Sequence, residues 1–399
     1  MGDFMTKTLA INAGSSTLKW KLFSMPEETV IASGLVDRLN LPESVFTVKR
    51  PGHDKYKDVQ DNITYDLAAA LVLSYLKDAG IVHHLHEITG IGHRVVGGGE
   101  TFKDSMLIDA TVLDQIRALT QYAPLHNPIQ ATYIEIFEKL LPNAQQVAVF
   151  DTSLYADMPK MNYLYPIPYK YYEEFGARKY GAHGTSHRYV AHRLAELLNR
   201  DLADLKLITL HLGSGSSITA FDHGQVIDTS MGFTPLAGVM MGTRSGDVDA
   251  SLVAFLTEKL GITSQEMIDI LNEKSGLLGI SELSPDQRDL EDTQNSRPLS
   301  KLALDMFANR VIRYIGSYVA EMGGLDALVF TAGSGENGIA MRQKIADQLT
   351  YFGVKLDPDK NNVRGVEQEI SQTGAPVDVW VVPTNEELMI ARDVARLTK

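Results

Sequence analysis

The sequence contains no cysteine among its 399 residues. This absence excludes disulfide bonds, a thiolate zinc site and a cysteine nucleophile. The chain also lacks a signal-peptide pattern and a long uncharged apolar run. We therefore expect no membrane anchor and a cytoplasmic location.

Basic residues are too few to balance the acidic ones, with 37 Lys and Arg against 50 Asp and Glu and a net charge of -13. This balance disfavours non-specific binding to nucleic acid or to an anionic membrane. A small anionic ligand stays compatible with it, because a few local arginines and backbone dipoles can override the mean field. The length favours two domains, and the apolar content of 44% is typical of a globular protein.

Small residues mark two similar turns. Leu207–Gly224 reads as an apolar strand, the small residues Gly213–Ser217, and a returning strand. Backbone N–H groups in such a turn can approach phosphate oxygens, because no bulky side chain intervenes. Thr8–Lys19 repeats the pattern around Asn12–Ser16. The echo indicates two similar halves with a phosphate-binding hairpin each, although two ordinary hairpins would also produce it.

Local patterns predict several further elements. The polar stretches Arg50–Asp61 and Ser281–Glu291 are interpreted as loops. Thr185 or Ser186 is expected to cap a helix that runs to Leu198. Thr384 and Glu387 are expected to form a capping box at the last helix, which leaves Glu386 available for a metal or ligand.

Two arginines stand in unusual surroundings. Arg94 lies near the end of the strand Ile88–Val96, just before a run of glycines, and a cation there needs an anionic partner. It forms either a structural ion pair or an anion clamp. Arg244 lies in a glycine-rich loop and either binds phosphate or pairs at the surface with Asp247 or Asp249.

A carboxylate and a histidine also follow predicted strands and turns. Asp151 comes directly after the strand Gln146–Phe150, where open α/β sheets place ligand chemistry, although an Asp there also caps turns. His183 precedes a helix, and His187 follows four residues later. This spacing resembles a zinc pair, but His183 lies before the helix and no glutamate stands between the two, which disfavours zinc.

A glycine-rich segment near the end of the chain offers a rival interpretation. Gly333–Gly338 has the form G-x-G-x-x-G after the strand Ala327–Thr331, and Asp357 follows about twenty residues on. This pattern is compatible with a dinucleotide fold and hence with an NAD-dependent dehydrogenase. Its late position and the lack of a second mononucleotide half argue against that reading.

Taken in order, the motifs resemble those of the acetate kinases, members of the acetate and sugar kinase, Hsp70 and actin superfamily. They run INAGSSTLK, HRVVGGGE, APLHNP, FDTS, GAHGTSH, HLGSGSS, MGFTP, MGTRSGD, TAGSGEN and PTNEEL. The resemblance implies an α/β fold of two duplicated ribonuclease-H-like domains, 1–150 with 385–399 and 151–384, with a nucleotide cleft between them. It also implies a homodimer and reversible transfer of the ATP γ-phosphoryl group to acetate, giving acetyl phosphate and ADP.

The resemblance assigns roles to individual residues. The catalytic residues would be Asp151, His183 and Arg244. The acyl substrate would be held by Arg94, Val96, Leu125, Ala182 and Pro235. Mg²⁺ or Mn²⁺ would be bound by Asn12 and Glu386. The nucleotide would be contacted by Lys19, His211, Leu212, Gly213, Ser214, Gly215, Asp286, Gln287, Arg288, Gly333, Ser334, Gly335, Glu336 and Asn337. A carboxylate acceptor is already deprotonated at neutral pH, so we expect Asp151 to position Mg²⁺ or an arginine rather than to act as a base.

Three positions depart from the usual family pattern. Gly97 replaces a His, Ser214 replaces an Asn, and Ala182 replaces a Phe that would wall the methyl pocket. The smaller Ala182 predicts a relaxed or shifted chain length, so a propionate kinase is the nearest alternative. An actin- or Hsp70-like ATPase is the alternative from a different class.

Overall fold

The computed structural model describes residues 6–124 and 126–398. The strands are β1 Thr6–Ala13, β2 Thr17–Met25, β3 Thr29–Asp37, β4 Ser44–Lys49, β5 Tyr56–Gln60, β6 Ile88–Val95, β7 Met106–Leu107, β8 Gln145–Phe150, β9 Lys206–Leu212, β10 Ser216–Asp222, β11 Gln225–Thr229, β12 Ala327–Thr331, β13 Gln368–Glu369 and β14 Asp378–Val381. The helices are α1 Tyr65–Asp78, α2 Ala110–Ala118, α3 Asn127–Leu140, α4 Lys160–Tyr163, α5 Lys170–Phe175, α6 Gly184–Leu198, α7 Ala250–Leu260, α8 Ser264–Glu273, α9 Gly276–Ser281, α10 Gln287–Thr293, α11 Pro298–Met322, α12 Ala332–Asn337, α13 Ile339–Asp347, α14 Pro358–Asn361 and α15 Glu386–Leu397.

The chain divides into two compact units. The first comprises residues 1–156 and 385–399, and the second comprises residues 157–384. Within the described ranges, no helix combines the length and the apolar character that crossing a membrane requires.

The first unit is built on an eight-stranded sheet of order β5-β4-β3-β2-β1-β6-β8-β7. β1, β2 and β3 are antiparallel, whereas β6 pairs parallel with β1 and β8 pairs parallel with β6. Gly90 and Gly92 of β6 make room for α15. A Cβ atom on Gly92 would lie 2.2 Å from Ile390 Cγ2, and one on Gly90 would lie 2.4 Å from Val394 Cγ1. The last helix therefore packs on this unit because β6 has no side chain at these positions.

The second unit is built on a six-stranded sheet of order β11-β10-β9-β12-β14-β13, which repeats the order of β3-β2-β1-β6-β8-β7 in the first sheet. Three antiparallel strands are followed by β12 and β14, each parallel to its neighbour. The long helix α11 covers this sheet with an apolar face that includes Phe307, Val311 and Ile315, all fully buried. The expected α/β fold with two similar halves is confirmed by these two sheets.

Two predicted loops contain regular structure. Arg50–Asp61 includes β5, which lies at the edge of its sheet and leaves most of its side chains exposed. A strand that is solvated on one side can carry polar residues, and composition alone therefore misreads it. Ser281–Glu291 includes the start of α10, whose N-cap is Asp286.

Both helix-capping predictions are wrong. The helix α6 begins at Gly184, and its N-cap is His183 in the left-handed conformation with φ 62°. Ser186 lies inside the first turn, where its hydroxyl contacts His211 instead. The helix α15 begins behind Asn385, and the hydroxyl of Thr384 contacts Ser186 rather than forming a capping box.

Candidate active site

An arginine and an aspartate meet in the first unit at the ends of two parallel strands. Arg94 lies near the end of β6 and Asp151 follows β8, two strands in register. Arg94 Nε and Nη2 donate to Asp151 Oδ2 at 3.0 and 2.6 Å, and Nη1 donates to Asn12 Oδ1 at 3.2 Å. Asp151 is fully buried. The structural ion pair considered for Arg94 is therefore present, and it fixes the orientation of the guanidinium.

The charges around this pair perturb one another. Burial alone would lower the pKa of Arg94, but Asp151 and Glu386 raise it above its ordinary value. Burial raises the pKa of Glu386, and the neighbouring Asp151 and Glu387 raise it further against the opposing pull of Arg94. Glu386 is thus a carboxylate whose charge the surrounding cations do not fully compensate, and an added cation would stabilise it.

Two lysines of β2 complete the cluster. Asn12 and Lys19 lie directly opposite each other on β1 and β2. Lys19 Nζ lies 3.1 Å from Glu387 Oε1, and Lys21 Nζ lies 2.9 Å from Glu387 Oε2. The Lys19 side chain is 55% exposed, so it is open to a ligand. Sequence reasoning missed Lys21, although its spacing of two from Lys19 places it on the same face of the strand.

The oxygen donors of this cluster fit Mg²⁺ bound together with a phosphate ligand. Within the described residues, no group of three or more His, Asp or Glu side chains could hold a metal alone. Mg²⁺ is commonly bound by one or two carboxylates plus substrate phosphates and water, and it prefers oxygen ligands. Asn12 and Glu386 supply such oxygens, and because burial raises the pKa of Glu386, a bound cation would stabilise its charged form.

Histidines form the centre of a second cluster, in the second unit. His183 is held in a left-handed backbone conformation, which is strained for a non-glycine residue. Its Nδ1 lies 2.8 Å from Ser217 Oγ. Its ring stacks on that of His211, with centroids 4.2 Å apart. These contacts fix the direction in which the imidazole points.

Arg244 lies in this cluster and forms no ion pair with any carboxylate in the part of the chain that the structure describes. Its Nη1 donates to Pro235 O at 3.3 Å and contacts Met241 Sδ at 3.9 Å. Asp247 instead accepts from Tyr314 and from the backbone of Gly238. Burial lowers the pKa of Arg244. A half-buried guanidinium without a carboxylate is typical of a binding site for an anionic ligand.

The surface pairing considered for Arg244 is also absent at the second aspartate. Asp249 caps α7 by accepting from the backbone N–H groups of Ser251 and Leu252. Gly215 lies beside both His183 and Arg244. A Cβ atom on Gly215 would lie 3.4 Å from His183 Nε2 and 3.5 Å from Arg244 Nη1. The two side chains therefore converge on one position.

The second unit also contains a cavity of about 430 Å³. Its lining residues are Gly213, Ser214, Leu277, Pro285, Asp286, Gln287, Arg288, Glu291, Gly333, Ser334, Asn337, Gly338 and Arg364. Most of the residues expected to contact a nucleotide are thus brought together. Leu277, Pro285, Glu291 and Arg364 were not predicted, because they come from segments without a glycine-rich motif.

Several residues expected to contact the nucleotide do not line this cavity. Lys19 belongs to the first unit, and Leu212, His211 and Gly215 do not line the cavity. Glu336 stabilises the adjoining turn, because its carboxylate accepts from the backbone N–H groups of Ala332 at 2.8 Å and Thr384 at 3.0 Å. Gly335 likewise offers its carbonyl to Arg342.

The residues expected around the acyl chain come from both units. Ala182 is buried and packs with Met231 and Met241 in a small apolar cluster of the second unit. Pro235 lies in the same unit, and its carbonyl accepts from Arg244. Val96 is buried in the first unit, and Leu125 lies outside the described residues. Two methionines thus occupy space next to Ala182.

Comparison with known proteins identifies the class of enzyme as a kinase. The chain matches the acetokinase family over residues 7–392. It is 66% identical over 393 residues to acetate kinase 1 of Latilactobacillus sakei, covering 98% of this chain and 100% of that protein. The crystal structure of Porphyromonas gingivalis acetate kinase matches with a TM-score of 0.94 and 41% identity, over 99% of this chain and 100% of that one. A propionate kinase from Francisella tularensis matches with a TM-score of 0.92 and 38% identity, over 98% and 100% of the chains.

The chain belongs to the acetokinase family. The resemblance seen in the motifs is confirmed, and so is the expected phosphotransferase class. The glycine pattern of Gly333–Gly338 therefore does not indicate a dehydrogenase, and four of its six residues, Gly333, Ser334, Asn337 and Gly338, line the cavity described above.

Proposed function

We propose that the protein transfers the γ-phosphoryl group of ATP reversibly to acetate, giving acetyl phosphate and ADP. The observation that carries the proposal is the convergence of His183 and Arg244 beside Gly215, with no carboxylate neutralising the arginine in the described chain. Two anionic reactants repel each other, and positioned cations are the usual means of offsetting that repulsion in phosphoryl transfer. The similarity to acetate kinases supports the same reaction.

The nucleotide occupies the cavity of the second unit. Its volume of about 430 Å³ lies in the range of small-ligand sites. Ser214 and Gly333 present little side chain at its wall, so their backbone N–H groups can approach phosphate oxygens, whereas the N–H of Gly213 donates to Gly215 O at 3.1 Å. Asn12 and Glu386 of the first unit would hold Mg²⁺, which would supply charge neutralisation. Lys19 adds an exposed ammonium group.

Arg94 binds the carboxylate of the acyl substrate. Its guanidinium donates to Asp151 through Nε and Nη2 and to Asn12 through Nη1, so the three side chains form one hydrogen-bonded network. Asp151 acts by holding Arg94. It removes no proton, because the acceptor carboxylate is ionised at neutral pH.

His183 and Arg244 stabilise the transferring phosphoryl group. Charge is spread over three oxygens of that group in the transition state, and donors fixed in advance stabilise it most. Pro235 O holds the guanidinium from one side, and Ser217 anchors the imidazole through Nδ1. His183 Nε2 and Arg244 Nη1 are then the groups that meet the phosphoryl oxygens.

The test is ATP-dependent formation of acyl phosphate, trapped as hydroxamate with hydroxylamine. Formate, acetate, propionate, butyrate and glycerol are compared at equal concentration. Hydroxamate formed best from acetate is the expected result. A maximum at propionate would replace acetate by the longer acid as the substrate. ATP hydrolysis without hydroxamate from any acid would refute the proposal and favour an ATPase of the actin or Hsp70 type.

Ala182 is tested as a determinant of the acyl chain length. Its small side chain favours propionate as an additional substrate. The methionines beside it are flexible and polarisable, so they can yield to an extra methylene. One methylene changes discrimination by about 1–3 kcal/mol. We predict that Ala182→Phe lowers kcat/KM for propionate relative to acetate by about tenfold, within that range. An unchanged ratio between the two acids would remove Ala182 from the acyl site.

Two further properties belong to the same proposal. The protein acts as a homodimer, supported by α7, whose eleven residues include none that is buried although Leu252, Phe255 and Leu260 are apolar. Exposed apolar faces of this kind are commonly covered by a partner. Sedimentation equilibrium gives the mass directly, and a monomer at micromolar concentration would refute this part. The location is the cytoplasm, where ATP is available.

A further inference from the structure

A continuous line of hydrogen bonds lies behind His183. Its Nδ1 is 2.8 Å from Ser217 Oγ, and the same oxygen is 2.7 Å from His187 Nε2. His187 Nδ1 is in turn 2.6 Å from Thr209 Oγ1. Ser217, His187 and Thr209 are all fully buried. We call these three side chains the relay.

The elements explain why the relay exists. His183 and His187 are four residues apart, at the N-cap and in the first turn of α6, so both rings project toward the same side. Ser217 lies on β10 directly opposite His211 of β9, and Thr209 lies two residues before His211 on β9. The spacing of His183 and His187 that resembled a zinc pair in the sequence thus places the Ser217 hydroxyl between the two imidazoles.

The relay is constrained by the charge of His187. Burial and the neighbouring His211 lower the pKa of His187 well below its ordinary value, so its ring is neutral and carries one N–H. One of its two partners must therefore donate to it. If Thr209 donates, His187 donates to Ser217, and the Ser217 hydroxyl is directed at His183 Nδ1. If Ser217 donates, His183 Nδ1 donates to Ser217.

In both arrangements Nδ1 of His183 is engaged by Ser217. The ring cannot turn over without breaking that bond, and its stacking on His211 restricts tilting. The opposite edge of the imidazole, which carries Nε2, then faces the position beside Gly215 that Arg244 Nη1 also faces. A ring held in one orientation before the substrate arrives avoids reorganisation during the reaction.

We propose that Ser217 and His187 are positioning residues for phosphoryl transfer, which hold His183 by its Nδ1 edge and thereby direct its Nε2 at the transferring group. Neither residue touches the substrate. The proposal rests on the proposed function, because it requires His183 to contact the phosphoryl group.

The experiment compares Ser217→Ala with a matched control, Thr229→Val. Thr229 also carries a fully buried hydroxyl, which bonds to Thr219 and to the carbonyl of Ile218 and not to a histidine. Steady-state kinetics and thermal unfolding are measured on the full chain. Ser217→Ala is expected to lower kcat by about 10- to 100-fold, the size of a positioning defect, with KM for ATP changed less than about twofold. The two variants are expected to lower the midpoint of unfolding by similar amounts, because each removes one buried hydroxyl. In Thr229→Val, kcat is expected to stay within about twofold of the parent.

A double-mutant cycle with His187→Gln gives the second readout. The glutamine amide still offers an N–H donor and a carbonyl acceptor, so this variant is expected to fold and to lose less kcat than Ser217→Ala. Both substitutions act on His183 through the hydrogen bond between Ser217 and His183. The double variant should therefore lose no more kcat than Ser217→Ala alone. Additive losses, equal losses in the control, or a loss confined to KM would each overturn the relay. Absence of hydroxamate from the parent enzyme would instead overturn the proposed function, so the two failures are distinguishable.

Discussion

Replacing Gly215 by alanine tests the phosphoryl site at the point where its two donors converge. The new Cβ would lie 3.4 Å from His183 Nε2 and 3.5 Å from Arg244 Nη1, which are ordinary contact distances. A phosphate oxygen bonded to either nitrogen must approach to about 2.8 Å. The methyl group therefore competes with the phosphoryl group for the same space. A displacement of about 1 Å at a reacting centre costs on the order of 100-fold in rate, so we expect kcat to fall by about 10- to 100-fold.

The fold should tolerate this change. Gly215 is not among the glycines with a positive φ, so alanine adopts its backbone without strain and reduces the freedom of the unfolded chain. Gly316→Ala is the matched control, because its Cβ would lie 3.9 Å from Phe352 Cε2, and alanine is the better helix former within α11. Hydroxamate formation and urea unfolding are measured for both variants. If Gly215→Ala kept more than half of the parent kcat, His183 Nε2 and Arg244 Nη1 would not face the transferring group.

Two further predictions concern the first unit. Burial lowers the pKa of His93 to about 4, so between pH 6.5 and 4 the unfolded chain binds the extra proton and stability is lost as the pH falls. This one residue accounts for about 3 kcal/mol of that loss, and His93→Gln should flatten the dependence of the unfolding free energy on pH by that amount in urea titrations; an unchanged slope would contradict a neutral buried ring. Asp151→Asn should reduce kcat/KM for acetate by about 100-fold through misplacement of Arg94 while leaving the pH profile of kcat unchanged. Loss of an acidic limb in that profile would show that Asp151 acts as a base, and near-normal kinetics would remove it from the site.

The hairpins were predictable because their signals are local. The β1–β2 and β9–β10 turns are short stretches of small residues between apolar strands, and the pairing register follows from the turn itself. The edge strand β5 was not predictable in this way, because most of its side chains are exposed and its sequence therefore lacks an apolar pattern. The left-handed backbone conformation of His183 was also not predictable from the sequence. It depends on packing around the start of α6, which overrides the usual preference for Ser or Thr as the cap.

The charged groups of the site were predictable by type but not by partner. Sequence reasoning left Arg94 and Arg244 with the same two alternatives, an ion pair or an anion site. The structure distinguishes the two arginines. Two neighbouring strands that are far apart in sequence bring Asp151 to Arg94, whereas Asp247 accepts a hydrogen bond from Tyr314 instead of pairing with Arg244. Such partners come from residues far apart in the chain, and no local pattern records them. The methionines beside Ala182 were missed for the same reason.

The different environments of the two arginines imply different tasks. Arg94 is already neutralised by a buried carboxylate, so a second anion gains orientation from it more than net charge compensation. Arg244 carries the cost of partial desolvation, and its hydrogen-bond partners among the described residues are a carbonyl and a thioether. An anion that arrives there recovers that cost, and the gain is largest where negative charge is concentrated. A group that stabilises the transferring phosphoryl more than the ground state raises kcat, whereas a group that binds both equally lowers KM. Arg94 is therefore suited to substrate binding and Arg244 to the chemical step.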